Sequence, residues 1–294
     1  MITALAAGHR AHEALGGSGG AARVVAALSE SVYAYAGGAL IWLGGPRSTL
    51  HPRAVRVAVP PRAQADDALA IDLAVATRWE PPSPRLDTRA ATTLGRGCQA
   101  LAASLHTLGA PGGLAALLFG GTRPATTEAQ LLERAVPVAR ALGDACARDD
   151  WRAAADAAGD LVGLGPGLTP SGDDFVGGAF FAKALLARAG LCDRDGWATA
   201  AARVGDLTAT RTHPISAVLL GDLLRGEGWQ PLHDLVWALA RADAPAARGA
   251  ARMLVGLGHS SGWDLLAGFL NGARAPDLAR RPAPHGIAQY LDPG

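Results

Sequence analysis

Two adjacent carboxylates, Asp173 and Asp174, close a stretch dense in glycine and hydroxyl residues, Gly163-Leu164-Gly165-Pro166-Gly167-Leu168-Thr169-Pro170-Ser171-Gly172-Asp173-Asp174. The stretch follows a predicted helix and runs into the apolar segment Phe175 to Leu186, so it reads as a glycine-rich turn feeding a helix start. Such a turn presents free backbone N–H groups at the positive end of a helix dipole, a setting that suits a bound anion. On this reading Gly165, Gly167 and Gly172 contribute N–H donors, and Thr169 and Ser171 add hydroxyls. Asp173 and Asp174 are the catalytic candidates, since a carboxylate beside an anion site can orient a substrate N–H, hold a metal or act as a general base.

The stretch has an internal echo. Ser171-Gly172-Asp173-Asp174 corresponds to Ser261-Gly262-Trp263-Asp264, and a Gly-Leu-Gly precedes each, at Gly163 and at Gly256. The first copy carries three more residues between its Gly-Leu-Gly and its serine. Two similar loop-to-helix starts are therefore expected to face one cleft. Capping explains part of the echo: Ser171 and Ser261 as N-caps, with Asp174 and Asp264 reaching back from three residues on. It does not explain Asp173, whose echo is Trp263, nor the extra segment Pro166–Pro170. Gly177 and Gly178 cost helix propensity and predict the close approach of another backbone.

A second polar cluster, Thr210-Arg211-Thr212-His213-Pro214-Ile215-Ser216, offers Arg211 for an anionic substrate and Thr212 and Ser216 as hydroxyl donors. The competing account is a helix start with Pro214 at its first position, Thr212 as hydroxyl cap and Arg211 on the surface. His259-Ser260-Ser261 places a histidine and two hydroxyls at the second echo, where His259 is either a site residue or a buried, satisfied ring. Lys183, the only lysine, is expected to snorkel to the surface. The histidines lack metal-ligand spacing, and no cofactor motif is present: no Walker loop, no dinucleotide fingerprint in a βαβ unit, no HExxH and no GxSxG.

The elements that must position these residues fall into two textures. Between Ala22 and Val59, short apolar or β-branched runs are punctuated by Gly37-Gly38, Gly44-Gly45-Pro46 and Pro60-Pro61, and Ile71 to Thr77 adds another run. Met1 to Gly20 reads as a loosely packed lead-in. Pro81-Pro82-Ser83-Pro84 marks a boundary, beyond which helical spacing dominates. The fold class expected is α+β: a small β-rich N-terminal unit (1–80), a mostly helical C-terminal region (85–275) carrying the glycine-rich site, and an extended tail (276–294). Hydrophobic residues make up 49% and charged residues 18%, which excludes a disordered chain; a net charge of +1 without a basic run argues against nucleic acid as partner. Three scattered cysteines, no signal-like N-terminus and no run long enough to span a bilayer lead to the expectation of a cytoplasmic protein off the membrane.

The twelve-residue run from Gly163 resembles the signature of a bacterial family, long of unassigned function, that includes the AllH-type subunit of oxamate carbamoyltransferase. The Thr212…Ile215-Ser216-Ala217 segment and the run Gly256 to Gly268 match the same pattern in the same order. The resemblance covers the C-terminal half, and the N-terminal third only in texture. It implies carbamoyl transfer in allantoin and purine nitrogen catabolism, with oxalurate plus phosphate exchanging for oxamate plus carbamoyl phosphate. It also implies a small anionic metabolite, phosphate or carboxylate, as ligand and a hetero-oligomer with other carbamoyltransferase subunits. Two alternatives remain beside it: a non-catalytic assembly or ligand-binding subunit, and an unrelated enzyme using the same anion loop.

Overall fold

The computed structural model describes residues 1–82, 86–119 and 127–274, the side chains of 127–132 excepted. The expected tail and the Ser83-Pro84 part of the proline boundary lie outside the described residues.

The first seventy-nine residues hold the strands. Val32, Ala34 and Ala36 alternate inward along β3 (Ser31–Ala36) while Ser31, Tyr33 and Tyr35 alternate outward. With β1 (Ile2–Gly8), β2 (Ala21–Ala27), β4 (Ala39–Gly44), β5 (Ala54–Val57), β6 (Ala68–Asp72) and β7 (Thr77–Trp79), it forms one sheet in the order β5-β4-β3-β2-β6-β1-β7. An antiparallel β1–β5 pairing (Ala4 with Val57, Ala7 with Val55) closes that sheet into a small barrel. Closure pairs the β5 edge that an open sheet would expose.

Here the expectation for the N-terminus fails. Met1 to Gly20 is not a lead-in but β1 followed by helix α1 (His9–Gly17), whose Ala11 and Leu15 are buried in the barrel core. β1 pairs with β5 along one edge and with β6 and then β7 along the other. Its Ala- and Gly-rich sequence lacks strand propensity, and tertiary pairing supplies what propensity does not. The run expected from Ile71 to Thr77 is likewise two strands, β6 and β7, with a turn between them.

Beyond the barrel the chain is helical: α2 (Thr88–Ala103), α3 (Gly113–Phe119), α4 (Thr127–Arg148), α5 (Trp151–Leu161), α6 (Ser171–Arg188), α7 (Arg194–Arg211), α8 (Pro214–Leu224), α9 (Gln230–Ala240), α10 (Ala244–Val255) and α11 (Ser261–Gly272). This bears out the α+β class. α4 passes through Pro137 without a restart. No described helix is long and apolar enough to cross a membrane. The three cysteines are buried and form no disulfide among the described residues, with burial pushing the Cys98 thiol up to about 12.

Almost every residue of α6 is buried, so it has no face from which a lysine can reach water. Lys183 is therefore not a snorkelling residue. It is fully buried, donates to the Cys146 carbonyl at 2.5 Å and lies 4.9 Å over the Trp197 ring, with Asp149 at 4.0 Å. A buried ammonium needs such compensation to stay in the fold.

A charge cluster joins barrel to helices. The buried Asp222 of α8 takes two hydrogen bonds from Arg53 (2.5 and 3.1 Å) and one from Arg225 (2.6 Å), while Arg10 of α1 pairs with Glu227 at 2.7 Å. Burial works against the Asp222 charge, but the Arg53 hydrogen bonds, with the His51, Arg53 and Arg10 charges, outweigh it and hold the carboxyl below its ordinary range. Removing Arg53 takes away two of the three hydrogen bonds given above for the buried Asp222 charge, and breaking a buried pair in this way costs about 3–5 kcal/mol. Arg53→Ala is accordingly expected to lose roughly that much stability in urea unfolding of the full chain; a loss below about 1 kcal/mol would place the pair among weak surface bridges.

Candidate functional site

The site grows from a helix crossing. A Cβ on Gly178 of α6 would collide with the Leu265 carbonyl of α11, and a Cβ on Gly268 of α11 would collide with the Phe175 carbonyl of α6. Leu265 and Gly268 are the echo positions of Phe175 and Gly178, so the contact is reciprocal. The close approach expected at Gly178 is thus met by α11, whereas Gly177 faces the Leu220 and Leu223 side chains of α8.

The echo is longer than the two loops. Asp149 and Ala242 both adopt φ of 59°, just before the N-caps Asp150 of α5 and Asp243 of α10, which accept from Ala153 and Ala246. After those helices, the N–H groups of Gly172 and Gly262 donate to Leu164 and Leu257. Two α-α-loop-α units, α4–α6 and α9–α11, therefore cross at their last helices.

Crossing brings the two helix starts together. The Thr169 and Ser261 hydroxyls, one from each loop, are 3.0 Å apart. Asp174 and Asp264 are buried near enough for each charge to oppose the other. Burial first, then the Asp264 charge, pushes the Asp174 carboxyl well above its ordinary range, while a Ser261 hydrogen bond opposes the shift. Asp264 is raised to about 7 by burial, against the opposing pull of Ser171, Ser260 and the Leu114 and Ala115 N–H groups. Those two N–H groups open α3 and donate to Asp264 Oδ1 at 2.7 and 3.3 Å. The approach requires glycine at 113, where a Cβ would strike the Asp264 carboxylate. Oδ2 of Asp174 and Oδ2 of Asp264 are both buried and receive no hydrogen bond of ordinary length among the described residues.

Asp173 behaves differently. Its Oδ1 accepts from the Gly163 N–H at 2.7 Å; its Oδ2 accepts from the Ser216 hydroxyl at 2.6 Å and from the Thr212 hydroxyl. The geometry makes it a knot that fixes the start of the glycine loop against α7 and α8. Thr212 and Ser216 are thus gathered by Asp173. Arg211 is not: its guanidinium donates to the Gly159 carbonyl of α5 at 2.6 Å.

The capping accounts do not hold. The N-caps are Pro170 and Ser260, neither with a side-chain cap bond, and Ser171 and Ser261 are already the first helical residues. The cap of α8 is the His213 ring, accepting from Ile215 at 3.2 Å, which leaves the Thr212 hydroxyl for Asp173. At α6 and α11 the residue before the helix makes no side-chain cap bond, and at all three starts the hydroxyls turn to a carboxylate instead. Gly165 (φ 119°) and Gly167 (φ 91°) shape the inserted loop, in which the N–H groups of Gly165, Gly167, Leu168 and Thr169 donate to no backbone carbonyl. Gly172 spends its N–H on Leu164, and His259 is exposed on the second loop.

Two contributors escaped the sequence reading. One is the α3 start, foreshadowed by Gly112-Gly113 before the apolar Leu114 to Phe119. The other is Tyr33, on the outward face of β3, whose hydroxyl is pushed up to about 12 by burial and then by the Asp174 charge. Its signal was the Val-Tyr-Ala-Tyr-Ala alternation, which puts both tyrosines outside the barrel.

A pair of crossed helix starts with a glycine loop and two buried acids defines an anion-compatible site on a helical repeat. All of it except Tyr33 and α3 lies in one segment. Residues 161–273 match the family model described as oxamate carbamoyltransferase subunit AllH, so the resemblance to the AllH-type family is supported over this segment. The chain matches no curated protein and no solved structure.

The raised carboxyls carry a sign for stability. Asp264 ionises near 3.8 when exposed and near 7 in the fold, so the native state holds the extra proton between those values. Its contribution is full below the lower value and is lost as pH rises through the upper one. Unfolding free energy measured from about pH 4 to about pH 8 should therefore decline more steeply for the wild type than for Asp264→Asn. Equal slopes would contradict the assignment.

Proposed function

We propose that the chain is a subunit of a carbamoyltransferase of the oxamate type, acting with partner subunits on oxalurate and phosphate to give oxamate and carbamoyl phosphate in allantoin and purine nitrogen breakdown. The observation that carries this reading is the AllH match at residues 161–273, which spans both glycine loops and both open carboxyls. On this account the N–H groups of Gly165, Gly167 and Leu168, with Thr169, hold the phosphate.

Two ionised aspartates beside a phosphate would repel it. The upward shift of both carboxyls supports the reading because a shared proton removes that conflict and leaves a donor for an anionic oxygen. The remaining carboxylate oxygen accepts from the carbamoyl NH2. In the reaction a phosphate oxygen forms a bond to the carbamoyl carbon, and the bond from that carbon to the oxamate nitrogen breaks. The proton leaving phosphate goes to the Asp174–Asp264 pair, and the pair's proton goes to the departing nitrogen. N–H and hydroxyl donors at the crossing stabilise the oxyanion that forms between the two events.

Asp173 acts here by position, holding Gly163, Thr212 and Ser216. Asp174→Asn in the reconstituted complex should lower kcat by about 10²–10⁴-fold with the thermal transition maintained. Wild-type turnover in that variant would favour an assembly role for this chain instead.

A further inference from the structure

A cavity of about 890 Å³ lies between the barrel and the second glycine loop. On the barrel side it is lined by the start of β3 and the β4–β5 connection, on the other by the end of α10 and Gly256–Gly258. Two guanidiniums, Arg47 from the barrel and Arg252 from α10, line it, and neither has a hydrogen-bond or ion-pair partner among the described residues. Glu30 is the one acid on its lining. Ser29, Ser31 and Thr49 bring hydroxyls that are likewise unspent.

The cavity adjoins the carboxyl pair along two routes. Ser31 lines it, and Tyr33, on the same outward face of β3, feels the Asp174 charge; Tyr35, next along that face, packs with Ile215 and Leu219 of α8. Gly258 also lines it, directly behind Ser261, which in turn meets Thr169 and Asp174. One strand face and one loop therefore lead from the cavity to Asp174.

We propose that this cavity is the binding site for the carboxylate-bearing substrate, a small oxo-carboxylate amide of the oxamate or oxalurate class, with Arg47 and Arg252 as its carboxylate receptors. The inference rests on the carbamoyl-transfer reading and adds a location and residues to it. Two anions take part in that reaction, and like charges are best held apart. The first loop, with its Gly165–Pro170 insertion, offers backbone N–H groups for a phosphate. The second loop lacks the insertion, and guanidiniums stand beside it instead. A planar guanidinium fork matches a planar carboxylate with two parallel hydrogen bonds, a fit an ammonium does not reproduce. The volume lies within the range of small-molecule sites. Arg47 belongs to the barrel, so the barrel becomes part of the substrate site and ceases to be a mere attachment to the helical repeat.

Titration calorimetry of the full chain, alone and in the reconstituted complex, with oxamate and separately with inorganic phosphate, tests this. Arg47→Ala and Arg252→Ala are each expected to weaken oxamate binding by about ten-fold or more while leaving phosphate affinity within two-fold, since each removes a charge-assisted hydrogen bond to the carboxylate. Both side chains are exposed, so melting temperatures should hold, and Arg252→Lys should recover only part of the affinity. Oxamate binding unchanged in both variants would overturn the site and leave the carbamoyl-transfer reading standing. Loss of complex assembly with oxamate binding intact would make the face a subunit contact and overturn it equally. Arginine-dependent binding of a different small carboxylate, with no affinity for oxamate, would keep the site and sink the carbamoyl-transfer reading.

Discussion

Backbone meets backbone where α6 crosses α11, at Gly178 against Leu265 and Gly268 against Phe175, and most of the molecule's arrangement follows from that contact. Helices that approach this closely cannot keep side chains between them, so the residues at their N-terminal ends converge on one small volume. The echo makes the convergence symmetric. Asp174 and Asp264 arrive together because they occupy equivalent positions on equivalent helices. Burying two acids side by side is costly, and two things oppose that cost: α3 donates two backbone N–H groups to Asp264, and burial pushes both carboxyls upward, toward their neutral forms.

The symmetry is broken where chemistry would need it broken. Only the first loop carries the Gly165–Pro170 insertion, and only the first helix carries a second aspartate. Asp173 shows why that extra carboxylate is present: it binds Gly163, Thr212 and Ser216 at once and locks the inserted loop to α7 and α8. The barrel enters through the outward face of β3 and through the Arg53–Asp222 pair, which sets it against α8. A repeat unit, an asymmetric loop and a barrel wall together make a cleft that none of them has alone.

The glycine loop, the helix that follows it and the echo were all legible in the sequence, because glycine, proline and short polar residues mark turns through local sterics and hydrogen bonding. Helices with clear periodicity were legible for the same kind of reason. β1 and α1 were not, since alanine-rich segments say little until partners are known, and β1 is held by pairing on both edges. Lys183 was misread because the apolar run of α6 points to a buried helix without revealing that the ammonium end is enclosed too, by the Cys146 carbonyl and the Trp197 ring. The relative standing of the three aspartates was also hidden. Sequence placed Asp173 foremost for lacking an echo, whereas hydrogen-bond saturation makes it the most occupied of the three and leaves open oxygens on Asp174 and Asp264. Satisfaction of a carboxylate is a tertiary property, set by residues as distant as Ser216 and Leu114.

Asp174 and Asp264, both pushed upward by burial, are expected to hold a proton between them at neutral pH and to present it to anionic ligands. Infrared difference spectroscopy of the carboxyl stretch, on the wild type and on Asp264→Asn, measures this directly. The expected result is a protonated-carboxyl band in the wild type at neutral pH that phosphate together with oxamate shifts, and that the variant loses or alters. A wild-type spectrum with no protonated carboxyl at neutral pH, or with a band that neither ligand nor substitution changes, would contradict it.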